Sequence, residues 1–230
     1  MGLKDKLKLV KENILNSQNK VERNSKVEII AVTKTHPFKT IEDSYQAGFL
    51  SIGENRVQEA SDKFGSFDSM PRLKKRFIGH LQSNKLKRCL NLFDTIDSID
   101  STSLIKKVSK FGQRTDKKIS VLLEVNTSNE KQKYGFLPEE KEELLSCFEE
   151  PGVLITGLMT VAPFTTDEKK IRSSFKTLRD LKENLNSFLG DKKMCELSMG
   201  MSNDYKIAIE EGSTMIRLGT LLFGQRGSYN

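Results

Sequence analysis

Lys34 closes an apolar run, in the stretch Ile-Ile-Ala-Val-Thr-Lys-Thr-His-Pro over 29–37. A lysine brought to the last position of a buried strand loses part of its hydration, and nearby cations lower its pKa further. Its neutral amine is then available as a nucleophile, and a carbonyl, met through a Schiff base, is its natural partner. A second reading is a rim lysine whose stem covers apolar surface while its head reaches water or pairs with Glu54. Position in the strand leaves both readings open.

Two further stretches carry polar chemistry. Leu-Ser-Met-Gly-Met-Ser-Asn-Asp (197–204) ends an apolar run and opens a helix through Ser202 or Asn203, and Arg-Leu-Gly-Thr (217–220) ends the last one. Backbone N–H groups at the start of a helix bind phosphate, although serine and glycine there also read as an ordinary cap. Occurring together at the last two strands, these stretches point to a phosphate site between them. Arg217 lies inside its strand, where a charge needs either a planar acceptor or a carboxylate such as Glu124. A lysine for a carbonyl, a phosphate cradle and an arginine between them describe a phosphorylated aldehyde, and pyridoxal 5'-phosphate (PLP) is the candidate ligand.

These residues need a frame that brings distant segments to one rim. The chain alternates short apolar runs with amphipathic segments, the runs falling at 27–33, 49–53, 76–80, 95–99, 119–126, 154–161, 195–199 and 214–219. Such alternation gives parallel strands joined by crossover helices. The spacing predicts a single-domain α/β fold over 1–230, a (β/α)8 barrel of the TIM type with an extra N-terminal helix over 1–20; an open doubly wound sheet is the alternative. Pro37 and Gly48 bracket one helix, Thr165 and Glu168 suggest a capping box, and Gly212 ends another helix. In a barrel the strand ends line the catalytic face, which adds Asn55, His80, Asp97, Ser98, Asn126, Met159 and Thr160 to the same rim.

Composition narrows the function classes. Lysine and arginine total 38 against 31 acidic residues, a net charge of +7. The basic residues alternate with acidic ones along helices and form no nucleic-acid signature, so a solvated lysine-rich surface is expected and no nucleic-acid partner. The first 18 residues alternate apolar and charged positions, unlike a signal peptide, and no run is long enough for a membrane span; a cytoplasmic protein with no membrane partner is expected. Cys89, Cys147 and Cys195 are scattered and His36 and His80 are the only histidines, so neither a metal site nor a disulfide framework is expected. Each cysteine reads as a small buried or half-buried hydrophobe. With no surplus apolar helix face, a monomer is expected.

The stretches AVTKTHP, GENRVQEA, FIGHLQSNK, LLEVNTSNEKQKYGF, GLMTVAPF, LSMGMSNDYKIAI and IRLGTLLFGQR, spread in order from about residue 27 to residue 226, together resemble the pyridoxal phosphate homeostasis protein family. The fold of that family is that of the N-terminal domain of alanine racemase. The resemblance implies that Lys34 forms the Schiff base with PLP, that Ser198, Gly219 and Thr220 hold the phosphate with the helix start at Ser202 nearby, and that Arg217 faces the pyridine nitrogen. It also places Asn55 and His80 on the rim and Met159 beside the cofactor. Racemases of the related fold take a second base, a tyrosine, from an additional C-terminal β domain; Tyr45, Tyr134, Tyr205 and Tyr229 have no evident claim to that role. Lys133 matches a loop lysine that could pass PLP on, or is an exposed loop charge. The implied function is intracellular PLP homeostasis and supply to PLP-dependent apo-enzymes without robust turnover; a low-activity PLP-dependent amino-acid racemase is the alternative.

Overall fold

The computed structural model describes residues 1–191 and 193–224. Helix α1 (Leu3–Asn19) precedes a barrel of strands β1 (Glu28–Val32), β2 (Ser51–Glu54), β3 (Lys74–Phe77), β4 (Thr95–Ile99), β5 (Ile119–Glu124), β6 (Val153–Met159), β7 (Glu196–Met201) and β8 (Met215–Leu218). The strands close in sequence order, β8 returning to pair in parallel with β1. Between and after them run α2 (Phe38–Ala47), α3 (Val57–Lys63), α4 (Leu86–Leu92), α5 (Thr102–Arg114), α6 (Lys141–Ser146), α7 (Glu168–Asn186), α8 (Tyr205–Glu210) and α9 (Thr220–Phe223). The closed barrel replaces the open-sheet alternative. Among the described residues no helix is long and apolar enough to cross a membrane.

Strand alternation separates two cores. Outward residues such as Phe77, Ile96, Val121, Leu158 and Leu197 pack with Val108, Phe175 and Leu178 of the helices. Inside the barrel, Ile30, Leu122, Met159 and Met215 form a smaller apolar layer. Below that layer lies a polar plug. Arg76, 1% exposed, donates to Glu28, to Ser51 and to both oxygens of Asp97, the last at 3.1 and 3.2 Å. Burial alone would raise the Glu28 carboxyl, but the Arg76 charge and the hydrogen bonds from Ser51 and Arg76 outweigh it and hold Glu28 below its ordinary value.

Local signals explain where elements begin and end. Pro37 takes the N-cap position of α2, and Gly48 closes it in the left-handed region at φ 103°. The N–H of Phe49 returns to the Ser44 carbonyl in that cap. Phe49 is therefore committed to the helix end, and β2 starts at Ser51 instead of the expected 49. β3 spans Lys74–Phe77 and leaves Gly79 and His80 in the loop beyond it. The expected Thr165–Glu168 capping box is not formed. Asp167 caps α7 by accepting from the N–H groups of Lys169 and Lys170, and the Thr165 hydroxyl accepts from the Asp167 N–H. Cys89 and Cys147 are buried, whereas Cys195 is exposed just ahead of β7, which corrects its reading as a buried hydrophobe.

Helix α1 is bound to the β8 side. Leu7, Val10 and Ile14 pack with Tyr205, Ile209, Ile216 and Leu218. Lys6 Nζ donates to the Leu222 carbonyl of α9, and Asn13 Nδ2 donates to the Tyr205 hydroxyl at 3.0 Å.

Breaking the plug tests this frame. Arg76→Met strands Asp97, which is 0% exposed, as an uncompensated charge inside the barrel. A loss of about 3–5 kcal/mol is expected from urea unfolding monitored by circular dichroism; an unchanged midpoint would show that the plug does not carry the barrel floor.

Candidate functional site

The barrel closure brings the predicted residues to one mouth. In β1 the inward alternation of Glu28 and Ile30, carried two residues past Val32, gives Lys34 the inward side and Thr33 the outward one. Lys34 is half-buried in the turn that follows the strand. Glu54 accepts at Oε1 from Thr33 and Lys63. β8 lies beside β1, with Ala31 opposite Leu218. A Cβ placed on Gly219 would stand 3.6 Å from the Cβ of Val32, so the lysine turn and the Gly219–Thr220 segment occupy adjacent strand ends.

Arg217 is buried in the mouth. Its Nη1 donates to the Ser198 hydroxyl at 2.7 Å and to the Ser198 carbonyl at 2.8 Å, and its Nη2 donates to the Thr160 carbonyl at 2.7 Å. These neutral oxygens replace the carboxylate partner considered from sequence. Burial pushes the guanidinium below its ordinary value, resisted by the charges of Asp204, Asp97 and Glu124, none of which bonds to it. It remains a cation. Because the Ser198 oxygen accepts from Arg217, its own O–H is left to donate elsewhere.

The phosphate end differs in detail from expectation. Ser202 does not cap α8, whose N-cap is Asp204. Its hydroxyl accepts from the Leu221 N–H at 3.2 Å and ties the loop after β7 to the first turn of α9. Asp204 instead accepts from the Met201 N–H. Gly200, at φ 97°, takes a conformation that favours glycine. A Cβ there would meet that of Ala208 at 2.6 Å.

The opposite rim carries Asn55, His80 and their neighbours. Gly79 lets β2 and β3 converge, since a Cβ there would sit 2.2 Å from the Asn55 carbonyl oxygen. His80 Nδ1 lies 2.8 Å from an Asp100 oxygen, and its ring stacks on Tyr134 at 3.7 Å between centroids. Tyr134, which sequence left without a role, therefore stands at the mouth. Tyr205 is buried against α1, Tyr45 packs beside Ile41 on α2, and Tyr229 lies outside the described residues. Lys133 is not the exposed loop charge of one sequence reading. Its ammonium donates to Ser128 and to the Val161 and Ala162 carbonyls and pairs with Glu130, fastening the β5 loop to the β6 loop. Met159 is buried in the apolar layer beneath the mouth.

The alanine racemase N-terminal domain model matches residues 6–227. The pyridoxal phosphate homeostasis protein of Aquifex aeolicus is 36% identical over 228 residues, covering 98% of this chain and 99% of that protein. That of Bos taurus is 37% identical over 210 residues, covering 86% of this chain and 77% of that protein. The chain is a member of the pyridoxal phosphate homeostasis protein family. PipY of Synechococcus elongatus, solved with PLP bound, superposes with a TM-score of 0.85 at 32% identity over 96% of this chain and all of that one. An alanine racemase of Clostridium difficile aligns with a TM-score of 0.73 at 16% identity, covering 98% of this chain and 57% of that one, which shows a shared fold.

For this family member, the donor set fits a phosphorylated aldehyde. A buried cation without a carboxylate partner among the described residues, a serine O–H left to donate and the first turn of a helix stand beside a lysine turn on the adjacent strand. Sequence reasoning missed Glu124 as a mouth residue in its own right. It ends β5 on the inward face and lines a cavity of about 200 Å³ with Asn126, Lys133, Tyr134 and Val161. Burial, reinforced by Asp100, pushes its carboxyl up to about 7 against the pull of Arg217. Its position as the inward residue that follows the apolar run Val121–Leu123 was the available signal.

Glu124 gives the fold a pH dependence of defined sign. Its carboxyl rises from an ordinary 4.5 to about 7, so the folded chain binds a proton that the unfolded chain releases. The cost of burial is absent at acid pH, grows across that interval and is complete above it. Glu124→Gln should therefore stabilise the protein relative to wild type by on the order of 2 kcal/mol more at about pH 8 than at about pH 5. Urea midpoints at the two pH values check this; a difference independent of pH would remove Glu124 as the titrating group.

Proposed function

We propose that this chain binds PLP at the barrel mouth, with Lys34 as the point of covalent attachment, and serves intracellular PLP homeostasis and supply. The observation that carries the reading is Arg217, a buried cation held by Ser198 and Thr160 oxygens beside the strand end that bears Lys34. Bound there, the cofactor supplies an aldehyde that a neutral primary amine takes up with loss of one water.

The residues of the chain divide the work. Lys34 offers an amine on the inward side of its turn, half-buried at the mouth. Ser198, Ser202 and the backbone of Gly219 and Thr220 receive the phosphate at the start of α9, where N–H groups point outward from the helix. Arg217 donates toward the ring and holds Ser198 in place. Met159 forms the apolar floor, while Asn55 and His80 border the mouth from β2 and β3. Attachment through one lysine at an open rim suits holding and releasing a reactive aldehyde to PLP-dependent apo-enzymes. Tyr134 stands on the rim, 56% exposed, and robust acid–base turnover would ask for a second proton-transfer group held in place on the far face.

Borohydride reduction of the protein incubated with PLP, followed by peptide mass spectrometry, tests the reading. A pyridoxyl group confined to Lys34 and lost in Lys34→Ala is the expected result. Label scattered over surface lysines would overturn it. In deuterated water the PLP-loaded protein should leave the α-proton of added alanine unexchanged; steady wash-in dependent on Lys34 would make it a racemase.

A further inference from the structure

The turn that carries Lys34 is braced from outside the barrel. Lys63, the last residue of α3, has a side chain only 8% exposed. Its ammonium donates to the Thr33 carbonyl at 2.9 Å and to Glu54 Oε1 at 2.6 Å, and lies 3.4 Å from Glu59 Oε1. The Thr33 hydroxyl donates to the same Glu54 oxygen at 2.6 Å. On the other side of Lys34, the Thr35 N–H donates to Glu59. The residues immediately before and after the lysine are thus fixed by one buried cation and two carboxylates.

The geometry points to Lys63, acting with Glu54, as the positioning residue that sets the direction of Lys34 into the mouth. Thr35 adopts φ 65°, a left-handed conformation that a β-branched residue holds only when its surroundings enforce it. Glu59 supplies that restraint at the Thr35 N–H. The Thr33 carbonyl accepts from Lys63 and also from the His36 N–H, which closes the turn. Glu54 depends on this arrangement. It is fully buried, and its Oε2 is the one buried side-chain oxygen among the described residues without a hydrogen-bond partner. All its compensation therefore arrives at Oε1, from Lys63 and Thr33.

The brace reaches the other end of the site as well. The His36 ring packs on Phe223 of α9 at 5.1 Å between centroids. A shift of the lysine turn would consequently be felt at the helix that borders the phosphate positions. Neither Lys63 nor Glu54 touches the ligand space; both act through the backbone on either side of Lys34.

This inference rests on Lys34 as the attachment point, and its test separates the two. The double variant Glu54→Gln/Lys63→Met leaves no stranded charge and should melt cooperatively. Its rate of borohydride-trappable attachment of PLP to Lys34 should fall by at least about tenfold. Its affinity for pyridoxamine 5'-phosphate, which has the same ring and phosphate but no aldehyde, should stay within a few-fold of wild type. Glu54→Gln alone keeps every side-chain shape and should lose about threefold in attachment rate, so the outcome does not depend on the double variant folding. Unchanged attachment in Glu54→Gln and in the folded double variant, or equal weakening of both ligands, would overturn the positioning role while leaving Lys34 as the attachment point. Wild-type label on lysines other than Lys34 would overturn the reading of the site and the brace with it.

Discussion

The mouth of the barrel is organised by a buried cation whose direct partners among the described residues are all neutral. Arg217 spans from β8 to Ser198 on β7 and to the Thr160 carbonyl just past β6. Three strand ends are thereby fixed by one planar group, which a lysine could not do with the same geometry. The carboxylates of Asp204, Asp97 and Glu124 act on Arg217 through their fields, without a hydrogen bond to it. That distance matters: a carboxylate in direct contact would satisfy the guanidinium and leave little of its field for an anion. Glu124 also meets the charge of Asp100, and its raised carboxyl reflects the cost of keeping a further negative charge in this space.

Two segments around that cation are supported from outside the barrel, and they touch. The Lys34 turn is held by Lys63, Glu54 and Glu59 from the α3 side, while α9 is held by Lys6 of α1 and by Ser202. His36 and Phe223 close the gap between them. The additional N-terminal helix therefore bears on the barrel mouth, since its lysine secures the C-terminal end of the short helix that follows β8. Burial, with Lys63 beside it, keeps the His36 imidazole below its ordinary pKa, against the pull of Glu59. A neutral ring suits its packing on Phe223.

What was legible in the sequence follows from the range of each interaction. Short apolar runs of valine, isoleucine and leucine expose the strands because each run is a local property, and their number and connection favour the closed barrel. Strand-end position likewise brought Lys34, Ser198, Arg217, Gly219 and Thr220 to one rim before any contact was known. Partners across the fold were hidden. Arg217 could be read as needing an acceptor, but its choice of the Thr160 carbonyl over Glu124 depends on the register of β6 against β7, which carries no sequence signal. Lys63 looked like any surface lysine of an amphipathic helix, because nothing local shows that Thr33 and Glu54 converge beneath it. Ser202 and Thr165 misled for a related reason: each stands near a helix start, but an aspartate closer to the first turn holds the N-cap position, and at α7 its side chain makes the cap bonds.

The choice of arginine on the ring side bears on what the proposed complex can do. A guanidinium donates hydrogen bonds but keeps its protons, so a ring nitrogen facing Arg217 would stay unprotonated and withdraw electrons weakly; a carboxylate in that place would keep it protonated. Glu124 lies on the other side of the mouth, in the electrostatic range of Arg217, without contacting it. In the proposed complex, attachment at Lys34 and phosphate anchoring at the β7 and β8 ends would stand on either side of a weakly activated ring. Such an arrangement would hold an aldehyde while leaving bonds to its amine partners largely unactivated. It would suit keeping PLP out of unwanted reactions better than driving one.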